Sequence, residues 1–309
     1  MKAVRYRMNY PHTYPKCAEN KLEKGFFFKG AMAWRVIHIY SSFIQIISMD
    51  LDLKGKKAMV CGSTKGLGYA CAVELALLGA DLVLMARDRQ KLEEVIKTLD
   101  HSRGQRHEFL VADFSVTTQV KEVAANYAET NTIQILVNNT GGPAGGAAAT
   151  AKAEEFIMAF NAHLINNHHL VQTVLPGMKK AGFGRIINII STSVKAPLAG
   201  LGVSNTIRAA VANWAKTLAN ELGPFGITVN NVLPGFTKTS RADYVVSNMA
   251  RQFGKSEEEV MAGLVAEIPV GRIGRPEEFG AVVAFLCSPA AGYINGINLP
   301  VDGGRLGCL

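Results

Sequence analysis

Residues 55–90 read GKKAMVCGSTKGLGYACAVELALLGADLVLMARDRQ, and they constrain the fold more than any other stretch. A short apolar run, KAMVC (57–61), leads through a glycine turn into the helical pattern GLGYACAVELALLG, and a second apolar run, DLVLMA (81–86), follows. Short apolar runs alternating with longer amphipathic segments mark a parallel sheet covered by helices, because both faces of each strand are buried. The alternation continues with HEFLVA (107–112), QILVNN (134–139), RIINIIS (185–191), TVNNVL (228–233) and GINLPV (296–301). The expectation is an α/β chain with a single doubly wound (Rossmann) domain: a parallel seven-stranded sheet with helices on both faces and no internal linker or repeat. Its ligand belongs beyond the carboxyl ends of the strands.

That domain spans residues 49–309, and a chain of 309 residues with 48% apolar content can bury a large single core. Residues 1–48 differ in kind, being aromatic, basic and without clear helical or strand period. They hold eight Lys or Arg against two Glu, which accounts for +6 of the formal +8. The folded body is therefore nearly balanced, and no nucleic-acid partner is expected. The expectation is an N-terminal extension outside the native domain, with Met49 as the natural start; the rival reading is a basic targeting tail or membrane-surface anchor. The most apolar run, VIHIYSSFIQIIS (36–48), is too short to span a bilayer and carries His38 and Gln45, so no stable membrane insertion is expected. It fits a signal peptide poorly as well. Five cysteines (Cys17, Cys61, Cys71, Cys287, Cys308) with no paired spacing argue against a disulfide framework and a zinc site, which makes a reducing cytoplasm the default.

The turn after the first strand, CGSTKGLG, spaces Gly62, Gly66 and Gly68 so that the backbone of Gly62, Ser63, Thr64, Lys65, Gly66, Leu67 and Gly68 can approach a pyrophosphate at the positive end of a helix. The second strand ends at Ala86, where an NAD-binding chain would usually carry a carboxylate for the ribose 2′-hydroxyl. Arg87 follows, and Lys65 lies in the turn. Two cations and no acid at the strand tip suit a 2′-phosphate, so NADP(H) is favoured over NAD(H). The alternative is that both cations are merely solvated and Asp88 reaches the ribose.

The ordered set CGSTKGLG, LVNNTGG (136–142), GRIINIIS (184–191), LPGFTKT (233–239) and INLPVDGG (297–304) resembles the short-chain dehydrogenase/reductase family over about residues 51–304, most of all its 3-oxoacyl-[acyl-carrier-protein] reductase branch. The resemblance implies that Gly62, Gly66 and Gly68 hold the pyrophosphate. It places Asp113, followed by Phe114, at the adenine, and Asn138 in the family's Asn-Asn-Ala-Gly motif, with Thr140 in place of the alanine. Pro234, Gly235 and Thr239 approach the nicotinamide end. It also implies reduction of a small-molecule carbonyl or acyl thioester, and a homotetramer.

The family delivers its proton through an Asn-Ser-Tyr-Lys set. Ser191 matches the serine. The tyrosine's place, thirteen positions on, is held by Ser204, the lysine's by Arg208, and the asparagine's, twenty-eight before Ser191, by His163. A tyrosine titrates near ~10 and a neighbouring cation brings it into range, whereas a serine hydroxyl is a far weaker acid with less reach. Arginine stays charged and presents a planar fork of donors, but does not shuttle a proton. The expected function is NADP(H)-dependent carbonyl reduction with an atypical proton donor. His163, whose ordinary pKa suits neutral pH, Lys195 and Tyr244 are candidate donors. The alternatives are a weak or inactive NADP(H)-binding member acting as a sensor or partner subunit, or a scaffolding role that depends on residues 1–48. His163, His168 and His169 lack metal-ligand spacing, so no metal is assigned. TGGPAGGAAAT (140–150) reads as a hinge or a tight loop, and residues 242–272 as a helix pair closing over the site.

Overall fold

The computed structural model describes residues 49–308; the expected extension, residues 1–48, lies outside the described residues. Seven parallel strands form one sheet: β1 (Lys57–Cys61), β2 (Asp81–Ala86), β3 (Glu108–Val111), β4 (Ile135–Asn138), β5 (Gly184–Ile189), β6 (Ile227–Pro234) and β7 (Asn298–Val301). They lie in the order β3-β2-β1-β4-β5-β6-β7. The chain winds outward from β1 to β3, returns across β1 to β4 and winds outward again. This leaves a crevice between the carboxyl ends of β1 and β4, where loops diverge.

All seven expected strands are present, KAMVC and DLVLMA with their expected ends and the other five displaced by one or two residues at an end. At RIINIIS, β5 stops at Ile189 and Ser191 instead caps the short 3-10 turn Thr192–Val194, its Oγ accepting the Ser193 amide at 3.1 Å. The helices are α1 (Gly66–Leu77), α2 (Arg89–Ile96), α3 (Thr117–Ala128), α4 (Ala153–Phe160), α5 (Asn166–Ala181), α6 (Gly202–Leu222), α7 (Ser240–Phe253), α8 (Glu257–Ala266) and α9 (Pro276–Cys287). On one sheet face Leu75, Leu92, Phe279 and Val283 pack on Val60, Leu84, Ile187 and Val232. On the other, Val120, Leu170, Val174 and Ala215 pack on Met59, Leu136, Ile186 and Val229. Two dry faces explain why the strands read as continuous apolar runs.

One polar line crosses that second face. The amide of Asn138 donates to Asn188 at 2.9 Å, Asn188 to Asn231 at 3.0 Å and Asn231 to Asn298 at 2.9 Å. These residues are direct register partners on β4, β5, β6 and β7. A slip of one residue would strand buried amides, so the ladder fixes the relative height of the four strand ends. At the opposite end of β5, Arg185 is 4% exposed. It donates from Nη1 to Gly184 O (2.8 Å) and Gly226 O (3.3 Å) and from Nε to Ser288 O (3.3 Å), and it lies on the Phe183 ring. It ties the end of α9 to the base of the sheet.

Candidate functional site

The glycine turn lies at the tip of β1, one wall of the crevice. Gly62 has φ 57°, and a Cβ there would stand 2.7 Å from Asn139 O; one on Gly68 would stand 2.3 Å from Gly62 O. Only hydrogen fits at either place. Asn139, at the tip of β4, donates from Nδ2 to Cys61 O and Gly62 O, both at 3.2 Å, and so bolts the turn across the crevice. Helix α1 starts at Gly66 with no acidic residue in its first turn, leaving its positive end open. Ser63 is fully buried and its Oγ has no partner. A backbone cradle, an open helix end and an unpartnered hydroxyl fit a dinucleotide's pyrophosphate. Thr64 is half-buried in the turn, and Leu67 turns its side chain into the core.

At the tip of β2, Lys65 and Arg87 are exposed. Asp88 is spent as the cap of α2, accepting the Lys91 amide at 3.2 Å and pairing with Lys91 Nζ at 3.2 Å. The carboxyl of Asp113 is held below its ordinary range by hydrogen bonds from the Ser115 amide and hydroxyl, with the Arg87 charge adding to this. Phe114 follows, its carbonyl accepting Asn166 Nδ2 at 2.8 Å. Pro234 closes β6, the Gly235 amide donates to Val301 O at 2.9 Å, and Thr239 caps α7 with its methyl 3.6 Å from the Cβ position of Gly66. Asn138 is 2% exposed and its amide belongs to the ladder; the side chain that meets the glycine turn is its neighbour Asn139.

Three of the four candidate catalytic residues, Ser191, Arg208 and His163, lie at the tips of β4 and β5, and Ser204 precedes Arg208 by one turn of α6. Ser191 accepts one bond and keeps its hydroxyl proton free to donate. Ser204 is half-buried on α6, and one turn on, Arg208 is 8% exposed, with Nη1 donating to Ile189 O at 2.9 Å and Nε buried without a partner. Burial pushes Arg208 down to about 10, which leaves it a cation at neutral pH. His163 sits in a π turn, Asn161–Ile165, between α4 and α5, a form of helix defect often found at functional sites. It is 2% exposed and its Nδ1 lies 2.5 Å from Thr140 Oγ1. The expectation of a histidine titrating near neutrality is corrected: burial, and then the Arg208 charge, push it down to about 3, so it is a neutral ring at pH 7.

The small-residue run is a tied loop. The Gly146 amide donates to Gly200 O at 2.7 Å and the Gly202 amide to Gly146 O at 2.9 Å, pinning residues 145–147 to the start of α6. Helices α7 and α8 form the expected pair, packed on each other through Val246, Ala250, Val260 and Leu264. Arg241 reaches from α7 to Pro143 O at 3.5 Å and lies over the exposed Tyr244 ring. His168 meets Trp214 edge-on.

A family model described as Enoyl-(Acyl carrier protein) reductase matches residues 62–305. The 3-oxoacyl-[acyl-carrier-protein] reductase FabG of Pseudomonas aeruginosa is 34% identical over 257 residues, covering 82% of this chain and 98% of that one. The chain belongs to the short-chain dehydrogenase/reductase family. Among solved structures, the L-sorbose reductase of Gluconobacter frateurii, complexed with NADPH and L-sorbose, matches with TM-score 0.79 and 30% identity over 84% of this chain and all of that one. YwfH, an NADPH-dependent reductase involved in bacilysin biosynthesis, matches with TM-score 0.77 and 28% identity over 82% of this chain and 99% of that one. Within this short-chain dehydrogenase/reductase fold, sequence reasoning missed the roles of Asn139 and Thr140. The doubled asparagine was a signal for the first. For the second the only signal was a departure, Thr140 for alanine, whose partner His163 lies far along the chain.

Proposed function

We propose that the protein reduces the carbonyl of a small molecule with NADP(H) as cofactor. The observation that carries this reading is that one crevice joins a dinucleotide cradle at the tip of β1 to Ser191 and a buried guanidinium at the tip of β5. Lys65 and Arg87 beside a β2 tip without a free carboxylate support NADP(H) over NAD(H), as do the NADPH-dependent relatives. When bound, NADPH supplies a hydride to the carbonyl carbon while a proton joins the oxygen, leaving an alcohol and the oxidised cofactor.

Ser191 and Ser204 donate to the carbonyl oxygen, and Arg208 stabilises the charge that grows there. In this reading Ser204 and Arg208 stand where the family carries its tyrosine and lysine. Water brings the proton, because His163 is neutral; Lys195, in the turn after Ser191, and Tyr244, on the closing helix, are the side chains within the same region. The neutral His163 also favours a second reading, cofactor binding without turnover. Following NADPH consumption over a panel of 3-oxoacyl thioesters, quinones and small ketones separates the two. Turnover with at least about tenfold preference for NADPH over NADH is expected, and silence across the panel with tight NADPH binding selects the second reading. The homotetramer is proposed on the family resemblance and on the apolar residues that α4 leaves exposed, Ile157, Met158 and Phe160; sedimentation of the purified protein tests it.

A further inference from the structure

Arg208 is out of balance with its surroundings. Of its five N–H donors one is paired within the chain, to Ile189 O, and Nε is buried without a partner. None of the ion pairs among the described residues includes it, and the ionisable group beside it, His163, is a second potential cation rather than a carboxylate. A buried charge is costly unless it is paired and hydrogen-bonded, so this guanidinium is built for an anionic acceptor that arrives from outside the chain.

Its position selects the anion. Ile189 is the last residue of β5, two before Ser191, and Nη2 lies 3.7 Å from where a Cβ of Gly142 would stand. The guanidinium is thus at the tips of β4 and β5, where the substrate carbonyl is held, and not in the glycine turn at β1 that takes the pyrophosphate. Hydroxyls of the cofactor's ribose would satisfy donors there but leave the charge unpaired. Ser204, one turn earlier on the same face of α6, places a short side chain where a phenol would shield the guanidinium from the substrate. Lys195, just beyond Ser191, and Arg241, resting on Pro143, add positive charge at the mouth.

We propose that Arg208 binds a carboxylate of the substrate through its fork of donors, so that the site takes short oxo acids, with the ketone oxygen on Ser191. An uncharged ketone or thioester leaves the buried charge unmatched and binds less well. The inference rests on the reductase reading for its chemistry, but its binding half stands apart from turnover.

The test uses the full chain loaded with NADPH and given acetoacetate and pyruvate against methyl acetoacetate and methyl pyruvate. NADPH consumption and thermal protection are both recorded. The acids are expected to act at concentrations at least about tenfold lower than the esters. Arg208→Gln should erase that difference, and Arg208→Lys should keep part of it. Ser204→Tyr should also abolish the preference, by shielding the guanidinium. Equal behaviour of acids and esters overturns the proposal even if both are reduced. Acid-selective protection without NADPH consumption upholds it while the reductase reading fails. A fall in NADPH affinity in Arg208→Gln, with the acid preference intact, overturns it in favour of a ribose contact.

Discussion

Two arginines are buried at opposite ends of one strand. Arg185, at the base of β5, is surrounded by the carbonyls of Gly184, Gly226 and Ser288 and lies on an aromatic ring. Arg208, at its tip, meets a single carbonyl, that of Ile189. The first is a structural rivet, because its donors are met by carbonyls from three separate segments of the fold. The second holds donors in reserve, as a group does when its partners arrive with a ligand. Burial is alike in the two, and the supply of acceptors separates fold from site.

The strongest way to break this contrast is to remove each guanidinium in turn. Arg185→Ala should lower the unfolding free energy by about 3 kcal/mol in a denaturant titration, with NADPH affinity of the folded protein unchanged, since it removes three charge-assisted hydrogen bonds and the contact with the Phe183 ring. Arg208→Met should do the reverse: kcat/KM falls about 100-fold, while the cofactor-free protein gains about 1 kcal/mol by losing an under-bonded buried charge. Equal destabilisation by both variants would dissolve the distinction.

A smaller effect follows from His163, which sits beside Arg208. Its folded pKa, about 3, lies below the ordinary 6.5, so between those values the unfolded chain takes up a proton that the folded chain does not. Its contribution to stability is therefore whole above about pH 6.5 and is lost as pH falls through that window. Within that window, His163→Asn should flatten the acid-side slope of stability by about 1 kcal/mol per pH unit. Thr140→Ala should have the smallest effect, about 1 kcal/mol from the lost bond to His163, read by the same titration.

The sequence carried the fold because its signals are local and repeated. KAMVC and DLVLMA appear as β1 and β2 with their expected ends, and the other five strands differ by a few residues at most. The glycine turn was equally legible, since steric demands on Gly62 and Gly68 leave few other residues possible. Around Ser191 the local pattern said less about individual side chains. RIINIIS looks like one continuous strand, yet Ser191 leaves it to cap a turn. Asn138 looks like a cofactor residue, and its Nδ2 is committed to a ladder whose members come from four separate segments, while its Oδ1 is buried without a partner.

By itself, then, the sequence determined the order of strands and helices, the parallel sheet and the nucleotide turn, because hydrophobic period and glycine spacing act over a few neighbouring residues. Only the tertiary structure decided which polar groups are spent and which are free. His163 is neutral because the fold buries it beside Arg208, and Arg208 is under-bonded because β5 offers it one carbonyl. Protonation and hydrogen-bond supply depend on surroundings assembled from distant parts of the chain, and no local pattern records them.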